Sequence, residues 1–267
     1  MAIALASIHL HPLKSCAPLD VAEACVQRRG LAHDRRWMAV DGNGVAVTGR
    51  TQPGLTLVQA RPDAGGLRLD APGMATLRIA VPGAPASRLP VRVWDDEVDA
   101  SATDAAADDW LSAYLGVHVR LAYMDAAAAR AVDAPGTRAG DQVSFADSLP
   151  LLLLSQGSLD GLNARLPRPV SMRRFRPNLV VDGVDAHAED AWSRLRIGGV
   201  EFDVMRACTR CVFTTVDPDR GERDAGGEPL RTLAGYRRSD AGVTFGQHLV
   251  PRGTGTLRVG DEVVVVA

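Results

Sequence analysis

Lysine is almost absent from this sequence of 267 residues. Of its 30 basic residues 29 are arginine, and Lys14 is the one lysine. A GC-rich coding bias explains why exchangeable surface lysines became arginines. A compact ammonium and a planar guanidinium are not interchangeable where a point charge must fit a tight site. Lys14 is therefore a candidate functional residue, and the chance survival of one surface lysine is the alternative.

The chain also lacks a strong net charge and a long apolar run. Its formal net charge is −2, which argues against nucleic-acid binding by bulk charge. The longest strongly apolar run, 149–154, is far shorter than the ~20 residues of a membrane span. No positively charged region precedes the alternating segment 8–11, so we expect no cleaved signal peptide and a cytoplasmic protein. With 46% apolar and 23% charged residues, the composition is that of a globular protein.

Cysteine is scarce, and the four residues Cys16, Cys25, Cys208 and Cys211 form no disulfide framework. Cys208 and Cys211 make a C-x-x-C motif before a β-branched segment that predicts a strand. A structural zinc site needs four ligands, and the spacing of Cys16 and Cys25 provides no second pair. A thioredoxin-type dithiol opens a helix rather than a strand. Two interpretations stay open: one thiolate ligand to a metal whose cofactor supplies its own sulfurs, or two small buried side chains.

The spacing of apolar and turn residues predicts a mainly β protein with a few helices, of the α+β class. We expect two domains, 1–122 and 123–267. Strands are expected over Ala4–Leu10, Val21–Val26, Arg36–Val40, Leu55–Gln59, Val91–Trp94, Val117–Tyr123, Leu151–Leu154, Asn178–Val181, Cys211–Val216, Thr244–Val250 and Glu262–Val266, with a hairpin over Leu195–Val204. Helices are expected from Thr103 to Gly116, after a Ser155 cap through Leu166, and over Glu228–Tyr236.

Basic residues cluster at three predicted strand ends. Arg173, Arg174 and Arg176 precede a buried strand together with Asn178, and Pro177 fixes the local backbone. A second cluster spans 34–37, and Lys14-Ser15 follows the first strand. Such groups can hold a phosphate through charge-assisted hydrogen bonds, so together they predict a distributed anion site. The alternative is that each cluster is a solvated surface.

Several motifs, taken in order, resemble the molybdenum cofactor sulfurase C-terminal (MOSC) superfamily. The similarity is closest to the branch of the mitochondrial amidoxime-reducing component and the bacterial relatives that detoxify N-hydroxylated bases. It runs nearly end to end. The motifs are His11-Pro-Leu-Lys-Ser15, Leu31-Ala-His-Asp-Arg35, Phe175-Arg-Pro-Asn-Leu-Val-Val181, Ala188-Glu-Asp-Ala-Trp192, Cys208-Thr-Arg-Cys-Val-Phe-Thr-Thr-Val-Asp-Pro218, Glu228-Pro-Leu-Arg-Thr-Leu233, Phe245-Gly-Gln247 and Val259-Gly-Asp261.

The resemblance implies a β-rich N-terminal domain packed on a β-barrel-like MOSC domain, with a molybdenum–molybdopterin cofactor in the cleft between them. It implies that Cys211 is the catalytic thiolate that ligates the molybdenum. The residues implied to bind the pterin and its phosphate or to line the site are Lys14, Ser15, Arg35, Ser148, Arg176, Asn178, Thr209 and Arg210. The pair Ser148-Leu149 departs from the family, because mitochondrial relatives carry two adjacent hydroxyl residues there.

The resemblance further implies a molybdenum-dependent oxidoreductase that reduces small N-hydroxylated molecules such as hydroxylamines and amidoximes. With Cys211 assigned to molybdenum, three cysteines remain, too few for a four-thiolate cluster. We therefore expect no iron–sulfur cluster in this chain and a separate electron donor, a ferredoxin- or flavin-type reductase system. We expect no membrane association. A non-catalytic carrier of molybdenum cofactor or sulfur is the alternative function, and a scaffold with an incidental dithiol is a third.

Overall fold

The computed structural model describes residues 2–84, 86–132 and 134–267. The strands are β1 (Ala4–Leu10), β2 (Leu19–Val21), β3 (Glu23–Gln27), β4 (Gly30–Leu31), β5 (Trp37–Val40), β6 (Gln59–Asp63), β7 (Gly66–Asp70), β8 (Leu77–Ala80), β9 (Arg88–Val93), β10 (Asp96–Ala102), β11 (Arg120–Tyr123), β12 (Leu151–Ser155), β13 (Leu179–Asp182), β14 (Arg194–Ile197), β15 (Val200–Thr209), β16 (Val216–Asp217), β17 (Glu222–Arg223), β18 (Arg238–Ser239), β19 (Gly242–Pro251), β20 (Gly255–Arg258) and β21 (Val263–Val265). The α-helices of these residues are α1 (Ala105–Leu115), α2 (Gln156–Asn163) and α3 (Leu230–Ala234). The mainly β, α+β class is confirmed.

The largest sheet gathers most strands of the second half of the chain. Its order is β2-β1-β13-β12-β19-β15-β14-β21, and β18 pairs with β19 beside this path. Strands β12 and β13 run parallel, while β1 joins β13 in antiparallel register. Its buried core includes Leu5, Ile8, Leu153, Phe202 and Leu249. The first strand of the chain thus belongs to the sheet of the second half.

Smaller sheets form most of the first half, in the orders β5-β11-β10-β9 and β6-β7-β8. A third sheet, β20-β3-β4, pairs a strand near the C-terminus with two from the first half. Strand pairing therefore links the two halves in both directions. The division into domains at residue 122 stays a prediction.

The two longer helices begin where the sequence predicts a cap. The Asp104 side chain accepts a hydrogen bond from the Ala107 amide, and α1 ends at Gly116 in the left-handed conformation, φ 68°. Ser155 caps α2 in the same way through the Ser158 amide. Since short polar side chains can satisfy the free amides of a first helical turn, local sequence suffices to place these starts. Helix α2 ends at Asn163, earlier than the predicted Leu166, and α3 is likewise shorter than predicted.

Two strand predictions are wrong. Most of Leu55–Gln59 lies in a 3₁₀ turn, Pro53–Leu57, because proline at its start favours a helical turn, and the strand begins only at Gln59. The segment after Cys211 is also a 3₁₀ turn, Val212–Thr215, and the strand is β15, which ends at Thr209 inside the C-x-x-C motif. Threonine hydroxyls stabilise that turn by donating to carbonyl oxygens three residues back.

No helix within the described residues is long and apolar enough to cross a membrane.

Candidate active site

A cavity of about 370 Å³ contains every residue that the sequence predicts for the site. Loops from both halves of the chain contribute to its walls, as do residues of β12, β15 and β19. The predicted residues that line it are Lys14, Ser15, Arg35, Ser148, Arg176, Asn178, Thr209, Arg210 and Cys211. The structure therefore brings together groups that are up to about two hundred positions apart in the sequence.

Several non-glycine residues that line this cavity have a left-handed backbone conformation. Ser15, Arg35, Trp94 and Arg176 all line the cavity, and all have a positive φ, at 71°, 47°, 57° and 57°. Residues with a Cβ rarely adopt the left-handed region, since each costs ~1–3 kcal/mol there. Such strain persists only where the surrounding structure enforces it, and it concentrates at functional sites.

The Lys14 ammonium is held deep in the wall. Its Nζ donates to the Phe145 carbonyl oxygen at 2.6 Å and to Asp147 Oδ1 at 2.5 Å, and the residue is 5% exposed. Burial lowers the pKa of Lys14, although the adjacent Asp147 carboxylate acts in the opposite direction. A branched guanidinium does not fit this pocket without displacing a partner, so the single lysine is explained by its surroundings.

Arg35 and Asn178 are fastened to one another and to the backbone. Arg35 Nη1 donates to Asp34 and to Asn178 Oδ1, at 2.5 and 2.8 Å, and its Nη2 donates to the Arg176 carbonyl oxygen at 3.1 Å. The Asn178 amide nitrogen donates to the His9 carbonyl oxygen. Asn178 thus uses its side chain to hold the protein's own groups, and this network supports the strained backbone at Arg176.

Arg176 has a buried donor without a partner. Its Nη1 donates to the Cys16 carbonyl oxygen at 2.6 Å, while its Nη2 is buried and makes no hydrogen bond. The Nε of Arg210 is also buried and makes no hydrogen bond. Burial and the neighbouring Arg35 lower the pKa of Arg176 to about 9, so it is charged at neutral pH. Buried donors of charged groups are normally satisfied, so these two cavity-lining guanidinium groups retain unused hydrogen-bonding capacity.

The two cysteines of the C-x-x-C motif have different surroundings. Cys208 is buried, and Arg210 Nη1 donates to its sulfur at 3.0 Å. Burial alone would raise the pKa of Cys208, but Arg210 and His248 lower it to about 6. Cys211 is partly exposed and lines the cavity directly. The Cys208 sulfur is thus already hydrogen-bonded to a guanidinium of the protein itself.

Arg50 contacts the Cys211 sulfur, although no motif in the sequence singles it out. Its Nε donates to Cys211 Sγ at 3.3 Å, and its Nη2 lies 2.6 Å from Asp147 Oδ2. A Cβ on the preceding Gly49 would come within 2.1 Å of the Phe213 ring. Residue 49 must therefore be glycine for the segment Thr48-Gly49-Arg50 to pack closely against Phe213. A single arginine in a loop, however, does not indicate from the sequence that its side chain contacts Cys211.

Ser148 and Thr209 occupy the edge of the cavity. Arg206 Nη2 donates to Ser148 Oγ at 2.5 Å. Thr209 is exposed, and its backbone pairs with Thr244 at the end of β15. Both hydroxyls therefore border the opening rather than the buried wall.

Positive charge predominates in the lining. Its cationic side chains are Lys14, Arg35, Arg50, Arg174, Arg176 and Arg210, and its carboxylate is Asp147. Across the described ranges, no three His, Cys, Asp or Glu side chains are grouped as a metal site. The arrangement suits an anionic ligand that brings its own metal ligands and takes one thiolate from the protein.

Comparisons with known proteins agree with this chemistry. Residues 2–118 match the MOSC N-terminal beta barrel domain, and residues 140–264 match the MOSC domain. The chain is 36% identical over 280 residues to mitochondrial amidoxime-reducing component 1 of Mus musculus, covering 98% of this chain and 82% of that protein. The corresponding protein of Homo sapiens is 34% identical over 281 residues, with the same coverage. Among solved structures, the YUAD protein from Bacillus subtilis aligns over 98% of this chain and 94% of that chain at 9% identity, with a TM-score of 0.47.

Proposed function

Because the chain belongs to the family of the mitochondrial amidoxime-reducing components, we propose that it is a molybdenum-cofactor-dependent reductase of N-hydroxylated compounds, including hydroxylamines, amidoximes and N-hydroxylated bases. The observation that carries this proposal is the cavity itself. Its lining combines guanidinium groups that have unpartnered donors with a partly exposed thiol, that of Cys211. The guanidinium donors would bind the phosphate of such a cofactor, and the thiol would provide the one protein ligand to its metal.

The residues present fit that cofactor. Arg176 and Arg210 have free buried donors for its anionic groups. Lys14, Ser15 and Arg35 would complete the charge and hydrogen-bond complement, while Asn178 would act by orienting Arg35. Ser148 and Thr209 would contact the ligand at the edge of the cavity.

The protein's share in catalysis is placement and electrostatic tuning. When bound, the cofactor would supply the two-electron reduction chemistry. Cys211 would provide the thiolate ligand, and Arg50 would orient that sulfur through its hydrogen bond. Lys14 and Arg50 hold the pKa of Asp147 well below its usual range, although burial acts against them. Asp147 is therefore ionised at neutral pH and holds the two cations in place; it does not donate a proton.

We propose further that the electrons come from a separate ferredoxin- or flavin-type reductase protein. The reason is that Cys211 is assigned to the cofactor, and the remaining cysteines are too few to hold an electron-transferring iron–sulfur cluster. We also propose that this chain holds no iron–sulfur cluster, because the three cysteines besides Cys211 are too few for a four-thiolate cluster. The cytoplasm is the compartment we propose, since all four cysteines are free thiols in the structure, as a reducing compartment keeps them.

The test compares the two cysteines in holoprotein purified from a host that makes the cofactor. We expect the wild type to reduce an amidoxime with a viologen reductant. Cys211→Ala should abolish turnover, whereas Cys208→Ala should retain substantial activity, because only Cys211 is expected to ligate the metal. Molybdenum is quantified for each variant by mass spectrometry.

Three results would contradict the proposal in different ways. Molybdenum bound without turnover by the wild type would indicate a carrier. Equal inactivation of both variants at normal molybdenum content would indicate a redox dithiol, which needs both sulfurs. Full activity of Cys211→Ala would remove the thiolate from its proposed role.

A further inference from the structure

Trp94 occupies a position where local structure does not favour tryptophan. Strands β9 and β10 pair with Val93 opposite Asp96, so Trp94 and Asp95 form the two-residue turn of a tight hairpin. Trp94 adopts φ 57°, in the left-handed region. Glycine, asparagine and aspartate are the usual residues at such positions, because a large side chain is sterically unfavourable there.

Burial does not explain Trp94 either. Of the chain's four tryptophans, Trp37 and Trp110 are 3% and 9% exposed, but Trp94 is 57% exposed. Tryptophan normally stabilises a protein through the large area it removes from water. Trp94 leaves more than half of its surface exposed to water and also adopts a strained conformation. Neither turn formation nor burial therefore explains why tryptophan occupies this position.

The indole is fixed close to the proposed metal ligand. The Arg50 guanidinium carbon lies 4.7 Å from the centre of the Trp94 ring, a cation–π contact. The same guanidinium donates to Cys211 Sγ at 3.3 Å and pairs with Asp147. One side chain therefore separates an exposed aromatic surface from the thiol, and Trp94 itself lines the cavity.

We propose that Trp94 is a specificity-determining residue whose ring stacks on planar, aromatic N-hydroxylated substrates at the mouth of the cavity. This inference rests on the proposed function and names the substrate class it favours. Aromatic ligands stack on exposed indoles with little dependence on their substituents. Aliphatic hydroxylamines and amidoximes have no such face and would gain nothing from Trp94.

The experiment compares Trp94→Gly and Trp94→Phe in the holoenzyme. Glycine suits the left-handed turn and keeps the hairpin, whereas phenylalanine retains an aromatic ring. Val117→Ala is the control, since Val117 is also exposed, at 41%, and does not line the cavity. Each protein is assayed with an aryl amidoxime and with an alkyl amidoxime, first with a chemical reductant and then with a protein reductant, and its molybdenum content is measured.

We expect Trp94→Gly to raise KM for the aryl substrate about threefold to tenfold, equivalent to ~0.6–1.4 kcal/mol. Its kcat, its alkyl kinetics and its molybdenum content should stay near wild type. Trp94→Phe should restore most of the loss. As a readout independent of turnover, the aryl amidoxime should quench the tryptophan fluorescence of wild-type apoprotein, and this quenching should weaken in Trp94→Gly.

Equal KM changes for both substrates, or none, would overturn the inference. A defect seen only with a protein reductant would assign Trp94 to docking of the electron donor instead. If the wild type reduces neither substrate, the proposed function fails, and unchanged fluorescence quenching in Trp94→Gly would independently refute the stacking role.

Discussion

Replacing Arg176 by methionine should weaken cofactor retention without a comparable loss of protein stability. In the apoprotein Arg176 is half-buried and charged, and its buried Nη2 has no hydrogen-bond partner. Methionine has a similar length and removes the charge. Without a ligand, its removal relieves an unfavourable burial; with an anionic cofactor, it deletes a charge-assisted hydrogen bond.

The structure sets the size of each effect. An uncompensated buried charge costs ~3–5 kcal/mol. Against this stands the bond from Arg176 to the Cys16 carbonyl oxygen, worth ~1.5–3 kcal/mol, and the contact with the Phe213 ring at 5.5 Å, ~0.5–1 kcal/mol. We therefore expect the stability of apo Arg176→Met to lie between ~1 kcal/mol below and ~3 kcal/mol above that of the wild type. Cofactor affinity should fall about tenfold to hundredfold, corresponding to ~1.5–3 kcal/mol.

The assay uses urea unfolding of apoprotein from a host without the cofactor, and mass-spectrometric molybdenum content of protein from a host that makes it. Inorganic phosphate should raise the Tm of the wild-type apoprotein more than that of the variant. Arg168→Met is the matched control, because the Arg168 side chain is 86% exposed and lies outside the cavity. An apo variant that is clearly less stable, together with unchanged molybdenum content, would refute the reasoning.

Three further outcomes can be measured. Lys14→Arg should lower molybdenum content and destabilise the fold by ~1–3 kcal/mol, because a guanidinium overpacks the pocket between Phe145 and Asp147; urea unfolding and mass spectrometry check this. Since the pKa of Cys208 is lowered to about 6 from 9.0, its thiolate stabilises the fold fully above pH 9 and not below about pH 6. The stability difference between wild-type apoprotein and Cys208→Ser should therefore grow from pH 6 to pH 9 in urea unfolding, and a flat difference would contradict it. Asp104→Ala should cost ~1 kcal/mol, because it removes the cap of α1; thermal unfolding measures it.

Local signals in the sequence were sufficient for elements that local chemistry decides. The caps at Asp104 and Ser155 and the left-handed Gly116 follow from one or two side chains and their own backbone. The segment after Cys211 shows the limit of this reasoning. Its β-branched residues favour a strand, yet threonine hydroxyls and packing against the strand-end loop produce a 3₁₀ turn.

The site was predictable only as far as its residues form motifs. Arg35 and Arg176 lie in clusters of basic residues, and Cys211 belongs to a C-x-x-C motif. The structure places all three around one cavity. Arg50 and Trp94 stand alone in loops, so no pattern within a short window identifies them. Their roles depend on contacts with residues more than forty positions away, which the tertiary fold alone creates.

The connection between the two halves explains how a strained, charged cavity persists. Lys14 and Ser15 follow β1, which is hydrogen-bonded into the sheet of the second half, while β20 pairs back with β3. These pairings fix both sides of the cavity before any ligand arrives, so like charges such as Arg35 and Arg176 cannot move apart. An anion that binds there gains from charges already in position and relieves their mutual repulsion. Cofactor binding should consequently stabilise the whole fold, because strands from both halves carry the residues it would contact.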